Sequence, residues 1–168
     1  MRWRFAFLRL CLGLWAGLPY AGVRAAEAPP FTAGIETALV DAHLLASEYA
    51  GAQVVRVVGD SMVPFFRDGA ILVVRPTGVE SLRPGAVVVY VNRFGETIAH
   101  RVLKAVGTGW QVRGYHNRAP DSTIVNAENV RGVVYATFFA HRTGEPTDPV
   151  RLATLLLSTP VVLAAPAR

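Results

Sequence analysis

The sequence contains one cysteine and one lysine among its 168 residues. The cysteine, Cys11, lies in the apolar N-terminal stretch, so the remainder of the chain has no thiol for a disulfide or a thiolate nucleophile. His43 has no histidine, cysteine or carboxylate at the spacing of metal ligands. We therefore expect neither thiol chemistry nor a bound metal or other cofactor.

The chain also lacks a concentrated run of basic residues, although its net charge is +5. Four of the 17 basic residues are arginines in the first 25 residues, which contain no acid, so the rest of the chain carries 13 basic and 12 acidic residues. Nucleic-acid binding requires basic side chains clustered on one face. The composition therefore argues against a nucleic-acid partner and is typical of one modest domain without internal repeats.

The basic N-terminus has the parts of a secretory leader. Positive charge in residues 1–9 is followed by an apolar stretch from Leu10 to Val23 and by small residues around Ala25. We predict that residues 1–25 are a signal peptide, which would place the protein outside the cytoplasm, in a periplasm or the extracellular space. An uncleaved membrane anchor is the alternative, because the segment that begins at Phe5 approaches the ~20 residues of a spanning helix.

The next part of the chain predicts one helix followed by strands. Residues 26–52 are expected to form a linker and an amphipathic helix, since apolar residues recur at helical spacing from Ala33 to Tyr49, with Thr32 as a candidate cap. Residues 53–140 contain β-branched and aromatic runs separated by turn-forming residues. The runs cover 54–58, 71–75, 86–91, 97–106, 110–113 and 130–139. We expect a mainly β domain, either a coiled antiparallel sheet or a small barrel.

Residues 141–168 are predicted to be a tail with a short apolar helix. A helix can begin at Pro149, and the stretches 152–157 and 161–165 are apolar, but Pro160 interrupts them before they reach the length of a membrane span. The tail is therefore expected either to pack on the β domain or to contact a membrane surface.

A serine and a histidine about forty residues apart are the candidate reactive groups. Ser61 follows the first strand-like run at a Gly-Asp turn, and His100 lies within the fourth run. A serine hydroxyl needs a neighbouring base to become nucleophilic, and histidine is the side chain that ordinarily titrates nearest neutral pH. The pair predicts nucleophilic catalysis, with Ser61 as nucleophile and His100 as base.

Lys104 is the other candidate base, and His116 is a weaker one. Lys104 would have to lose its hydration to act as a neutral amine, and four residues of strand, at about 3.3 Å each, displace it by ~13 Å from His100. The Lys104 and His100 side chains therefore cannot both lie within reach of the Ser61 hydroxyl from equivalent positions on the strand. His100 is favoured, and His116 is expected to be a surface or substrate-side residue.

Four motifs follow one another in a fixed order along the chain. They are Gly-Asp-Ser-Met-Val-Pro at 59–64, Leu-Arg-Pro-Gly-Ala-Val-Val-Val-Tyr at 82–90, His-Arg-Val-Leu at 100–103 and Gly-Tyr-His-Asn-Arg-Ala-Pro-Asp at 114–121. In this order the motifs closely resemble those of the signal peptidase I superfamily. The resemblance covers about residues 54–139. It implies a coiled β domain of the signal-peptidase type and a serine that attacks a peptide carbonyl. Leader peptidases of bacteria and the self-cleaving SOS repressors have a lysine where this chain has His100, which is similar to the archaeal and endoplasmic-reticulum branch.

The resemblance also implies further roles for residues of the site. Asp121 falls on the position of the aspartate that assists the histidine, although it could simply be a turn residue. The backbone N–H of Ser61 would help to bind the oxyanion. The implied activity is that of an extracytoplasmic serine endopeptidase that cleaves exported or precursor proteins after small residues. The sequence does not predict an oligomeric state.

Departures from the family pattern leave a non-catalytic function open. Gly59 replaces a serine or threonine that usually helps to bind the oxyanion, and Ala86 and Tyr115 stand where acidic residues are expected. Asp60 is more typical of the SOS-repressor branch and is expected to cap its turn. The alternative function is therefore a β domain that binds a peptide or an envelope partner without cleaving it.

Overall fold

The β-branched runs form the strands of one curved sheet. The computed structural model of the protein describes residues 33–141 and 149–164, so the predicted leader at 1–25 and the candidate cap Thr32 lie outside the described residues. Six strands coincide with the six predicted runs to within about one residue. They are β2 (Gln53–Val58), β3 (Ile71–Arg75), β4 (Val87–Val91), β5 (Thr97–Val106), β6 (Gly109–Arg113) and β7 (Val130–Phe138).

The sheet closes into a six-stranded barrel. Its strands follow the order β4-β7-β3-β2-β9-β5, where β9 is Val161–Leu163, and β5 pairs back onto β4. The additional strand β6 extends the sheet from the other edge of β5. The two-residue strands β1 (Ala33–Gly34) and β8 (Ala140–His141) form a separate small sheet. The predicted mainly β fold, a small barrel, is confirmed.

Two helices cover one side of the barrel. Helix α1 (Ile35–Ser47) begins after Gly34 and buries Ala38, Leu39, Ala42 and Ala46. These side chains pack against apolar residues of β2 and β3, and leucines of α2 (Pro149–Ser158) pack on the same cluster. Both predicted helices are therefore present, and burial of their apolar faces explains why they dock on the sheet. Among the described residues, neither helix has the length and apolarity needed to cross a membrane.

The C-terminal tail also supplies a strand that the sequence did not predict. The helix ends before Pro160, whose carbonyl accepts a hydrogen bond from the Arg56 N–H at 2.8 Å, and the apolar residues that follow form β9. β9 pairs in parallel with β2 and with β5, whereas the other described pairs within the barrel are antiparallel. The barrel is therefore completed by a short segment that lies outside the predicted 53–140 domain.

Candidate active site

Ser61 lies in a tight turn at the end of β2. Gly59 has a φ of 101°, in the left-handed region that L side chains rarely adopt. The N–H of Gly59 donates to Asp68 Oδ1 at 3.0 Å, and the N–H of Asp68 donates to Asp60 Oδ1 at 3.1 Å. The Asp60 carboxylate therefore has a structural role, although it bonds to the Asp68 loop rather than capping its own turn. The backbone conformation also explains why glycine, rather than a hydroxyl-bearing residue, stands two positions before Ser61.

The structure brings Ser61, His100 and Asp121 into one line of hydrogen bonds. Ser61 Oγ lies 2.9 Å from His100 Nε2, and His100 Nδ1 lies 2.5 Å from Asp121 Oδ2. When Nδ1–H donates to the carboxylate, Nε2 is left to accept the proton of the serine hydroxyl. Ser61 is 6% exposed and His100 is 2% exposed, so bulk water is largely excluded from the contact between them. This arrangement can deprotonate a serine as it attacks an electrophile.

The register of β5 explains which face of the strand carries His100. The residue lies directly opposite Val88 of β4 and shares its strand face with Ile98, and both of these neighbours pack in one buried cluster, whereas Ala99 faces the separate cluster in the barrel interior. A shift of one residue would turn the imidazole to the other face of the strand. Asp121 reaches the ring from the loop after β6, where its own N–H donates to the Val112 carbonyl at 2.9 Å.

Tyr90 is a residue of the site that the sequence reasoning missed. It is 1% exposed on β4, and its hydroxyl donates to Asp121 Oδ2, the oxygen that also contacts His100. Burial and this hydrogen bond raise the pKa of the Tyr90 phenol, so it remains a protonated donor at neutral pH. The other carboxylate oxygen, Oδ1, is buried and has no hydrogen-bond partner among the described residues. The only sequence signal was that Tyr90 ends the second family motif, which does not distinguish a core tyrosine from a donor.

The alternative bases occupy different positions. Lys104 is exposed near the far end of β5, and the side chain of His116 is exposed as well. His116 contacts the nucleophile loop through its backbone, since its N–H donates to the Ser61 carbonyl at 2.7 Å. The ring that contacts Ser61 Oγ is that of His100.

A cavity of about 380 Å³ opens beside Ser61. Its lining is formed by the nucleophile turn, the loop after β6 and the end of β9: Val58, Gly59, Asp60, Ser61, His116, Asn117, Leu163 and Ala164. The N–H of Ser61, the predicted oxyanion donor, points at this side and donates to the carbonyl of Ala164 at 3.0 Å. The Ala164 carbonyl oxygen is therefore already bound to the N–H that was expected to bind the oxyanion.

Gly114 leaves the space that the imidazole needs. A Cβ at this position would lie 2.9 Å from His100 Nε2 and 2.7 Å from Asn117 Nδ2, closer than real Cβ atoms approach such neighbours. His100 is enclosed on β5 and cannot move away without losing its contact with Ser61. The glycine at the start of the fourth motif is therefore required sterically.

We expect Tyr90→Phe to lower the rate at which a small fluorophosphonate labels Ser61 by roughly tenfold, because a hydrogen bond to a charged group contributes about 1.5–3 kcal/mol. The same substitution in an Asp121→Asn background should have a much smaller effect, since the two residues act through one contact. Tyr135→Phe is the matched control, because its hydroxyl bonds to Tyr49 rather than to Asp121. Equal effects of Tyr90→Phe in both backgrounds would contradict this coupling.

Gly114→Ala should reduce labelling of Ser61 on the order of a hundredfold, since a displacement of about 1 Å in a reacting group can cost that much. Gly78→Ala is the control, because Gly78 has an ordinary φ of −71° and the atoms nearest to an added methyl group belong to the end of the exposed Glu80 side chain. Circular dichroism should show that both variants fold. Labelling at the wild-type rate in folded Gly114→Ala would show that the imidazole tolerates the methyl group.

Comparisons with known proteins agree with the motifs. A family model described as Peptidase S24-like matches residues 20–134, which is more than half of the chain. Signal peptidase I W from Bacillus subtilis (strain 168) is 31% identical over 80 residues, which cover 45% of this chain and 42% of that protein. The chain thus matches less than half the length of this curated relative. The matched region contains the turn, the strands and the loop that carry Ser61, His100 and Asp121, and the chain belongs to the Peptidase S24-like family, within the superfamily that includes signal peptidase I.

Proposed function

We propose that the protein is a serine endopeptidase in which Ser61 is the nucleophile, His100 the general base and Asp121 the residue that orients the histidine. The observation that carries the proposal is the 2.9 Å contact between Ser61 Oγ and His100 Nε2, with Asp121 on the opposite nitrogen. Membership of a peptidase family supports the same reaction class. A non-catalytic binding domain would not need the buried hydroxyl and imidazole in direct contact, so the geometry favours the peptidase over that alternative.

The reaction follows from the positions of these groups. Ser61 Oγ attacks the carbonyl carbon of a peptide bond while His100 Nε2 takes the hydroxyl proton, and the carbonyl electron pair moves onto oxygen. The Ser61 N–H donates to that oxygen in place of the Ala164 carbonyl that it contacts in this structure, and Asp121 stabilises the imidazolium. Collapse breaks the C–N bond, and His100 gives its proton to the leaving amine. Water then hydrolyses the acyl-enzyme, with His100 again accepting a proton and returning it to Ser61.

The substrate class is proposed from the family resemblance and from the name of the relative. We propose exported or precursor proteins as substrates, with a small residue before the cleaved bond. The histidine at position 100 also leads us to propose kinship with the histidine-containing branch of the superfamily. We also propose contact with a membrane surface, because the predicted apolar leader precedes the barrel and α2 exposes the apolar side chains of Val150 and Leu157.

We expect Ser61→Ala and His100→Ala each to lower cleavage of a precursor peptide by roughly a thousandfold or more, since members of such a unit depend on one another. Ser47→Ala and His43→Ala are matched controls, because both residues are exposed on α1. Cleavage should be measured by mass spectrometry, together with fluorophosphonate labelling. Labelling that persists in Ser61→Ala would refute the assigned nucleophile, and loss of activity in Lys104→Ala but not in His100→Ala would refute the assigned base.

The extracytoplasmic location is proposed from residues 1–25 alone. Expression of the full chain in a host that exports proteins should give a periplasmic or secreted form whose intact mass lacks this segment, because the apolar stretch and the small residues around Ala25 suit removal. Retention of Met1 to Ala25 in a membrane fraction would favour the anchor. Full-length protein confined to the cytoplasm would contradict export in either form.

A further inference from the structure

The C-terminal strand lies between the two strands that carry the candidate nucleophile and base. β9 aligns Val161, Val162 and Leu163 with residues 56–58 of β2, which ends just before the Ser61 turn. On its other side, Leu163 pairs with Ile98 of β5, two residues before His100. We call the space between β2 and β5 the β2–β5 cleft. A segment in this cleft runs directly toward Ser61.

The backbone N–H and carbonyl of Ala164 are bound as those of the substrate residue before the cleaved bond would be. Its N–H donates to the Val58 carbonyl at 2.7 Å, and its carbonyl accepts from the Ser61 N–H at 3.0 Å. A donor that serves catalysis must point at the position of the reacting oxygen, and distances of 2.7–3.1 Å are typical of such donors. Ala164 therefore presents its carbonyl to the same N–H that the proposed mechanism assigns to the oxyanion.

The side chains of the segment alternate as they would in a bound extended peptide. Val162 and Ala164 are 0% exposed and pack with the barrel interior, including Val57, Met62 and Phe66. Val161 is 43% exposed, and Leu163 is partly exposed. The sites that receive Val162 and Ala164 fit a branched aliphatic and a small side chain. The cavity beside Ser61 adjoins Ala164 and is lined further on by His116 and Asn117, so it offers space for a peptide that continues past this position.

We propose that residues 161–164 are an intramolecular pseudosubstrate, which occupies the acyl side of the β2–β5 cleft and must be displaced before another peptide can bind there. The inference rests on the proposed function of Ser61. The occupant is a three-residue strand followed by one further hydrogen-bonded residue, and an incoming peptide in the same orientation would offer β2 and β5 equivalent backbone groups. Displacement therefore exchanges one strand for another without requiring the remaining barrel strands to separate.

The first test compares the rate at which a peptidyl phosphonate with the side chains Val-Leu-Ala labels Ser61 in several forms of the protein. Two forms should react at least about tenfold faster than the wild type: a chain truncated after Pro160 and the full-length Ala164→Trp variant. This factor corresponds to a wild type in which fewer than one molecule in ten has an open cleft. Leu157→Trp is the control, because Leu157 is 88% exposed on α2, the helix that precedes the segment. A synthetic peptide of residues 159–164 should slow labelling of the truncated chain competitively, whereas a version ending in tryptophan should not.

The second test uses the unaltered protein, so it does not depend on whether a variant folds. Hydrogen exchange measured by mass spectrometry should show protected amides at residues 161–164 before labelling, and loss of that protection once the peptidyl phosphonate is attached to Ser61. Labelled enzyme in which the segment stays protected would overturn the pseudosubstrate.

The outcomes separate this inference from the proposed function. If folded Ala164→Trp and the wild type become labelled on Ser61 at equal rates, the pseudosubstrate is wrong and the peptidase stands. If Ser61 is labelled in none of the forms, the proposed function fails and the inference fails with it.

Discussion

The structure of the site depends on the hydrogen bonds made by the two nitrogens of one buried imidazole. His100 contacts Ser61 through Nε2 and Asp121 through Nδ1, and these partners come from the turn after β2 and the loop after β6. Three separated segments must therefore meet within hydrogen-bond distance of a ring that is 2% exposed. A buried polar group without partners would be costly, so the contacts contribute to stability as well as to the proposed chemistry.

Barrel closure is the constraint that makes this meeting possible. β4 carries Tyr90 and pairs with β5, so the phenol and the imidazole reach the same carboxylate oxygen from neighbouring strands. The turn after β2 is held by interlocking contacts of Asp60 and Asp68, which keep Ser61 in place without regular secondary structure. Glycine is required at both ends of the arrangement: Gly59 permits the turn, and Gly114 leaves room for the ring.

The β2–β5 cleft is closed by the chain itself. β9 is joined in parallel to both neighbours, whereas the other described barrel pairs are antiparallel. Ala164, the residue that follows β9, continues the pairing through hydrogen bonds to Val58 and to Ser61. The segment thus completes the core of the fold. It also occupies the backbone N–H of Ser61, on which the proposed reaction depends.

Local patterns in the sequence were sufficient to predict strands β2 to β7, both helices and the mainly β class, because β-branched runs and turn residues act over a few neighbouring positions. The pairing of Ser61 with His100 was also expected from chemistry and from motif order. The role of Tyr90 could not be predicted in this way, since a buried strand tyrosine has the same pattern whether or not its hydroxyl meets a carboxylate. Nor could the position of Val162, because its apolar run followed a helix and no local signal marks a parallel pairing with a strand about a hundred residues earlier.

By itself, the sequence determined most of the element types, the turn at Gly59 and the candidate nucleophile and base. The tertiary structure alone decided that Tyr90 bonds to the carboxylate beside His100, where the Ala164 carbonyl lies, and which strand closes the barrel. The physical reason is that helices, turns and strand propensity depend on residues near one another in the chain. Hydrogen bonds across the β2–β5 cleft instead depend on strand register and closure, which the packing of the whole core specifies.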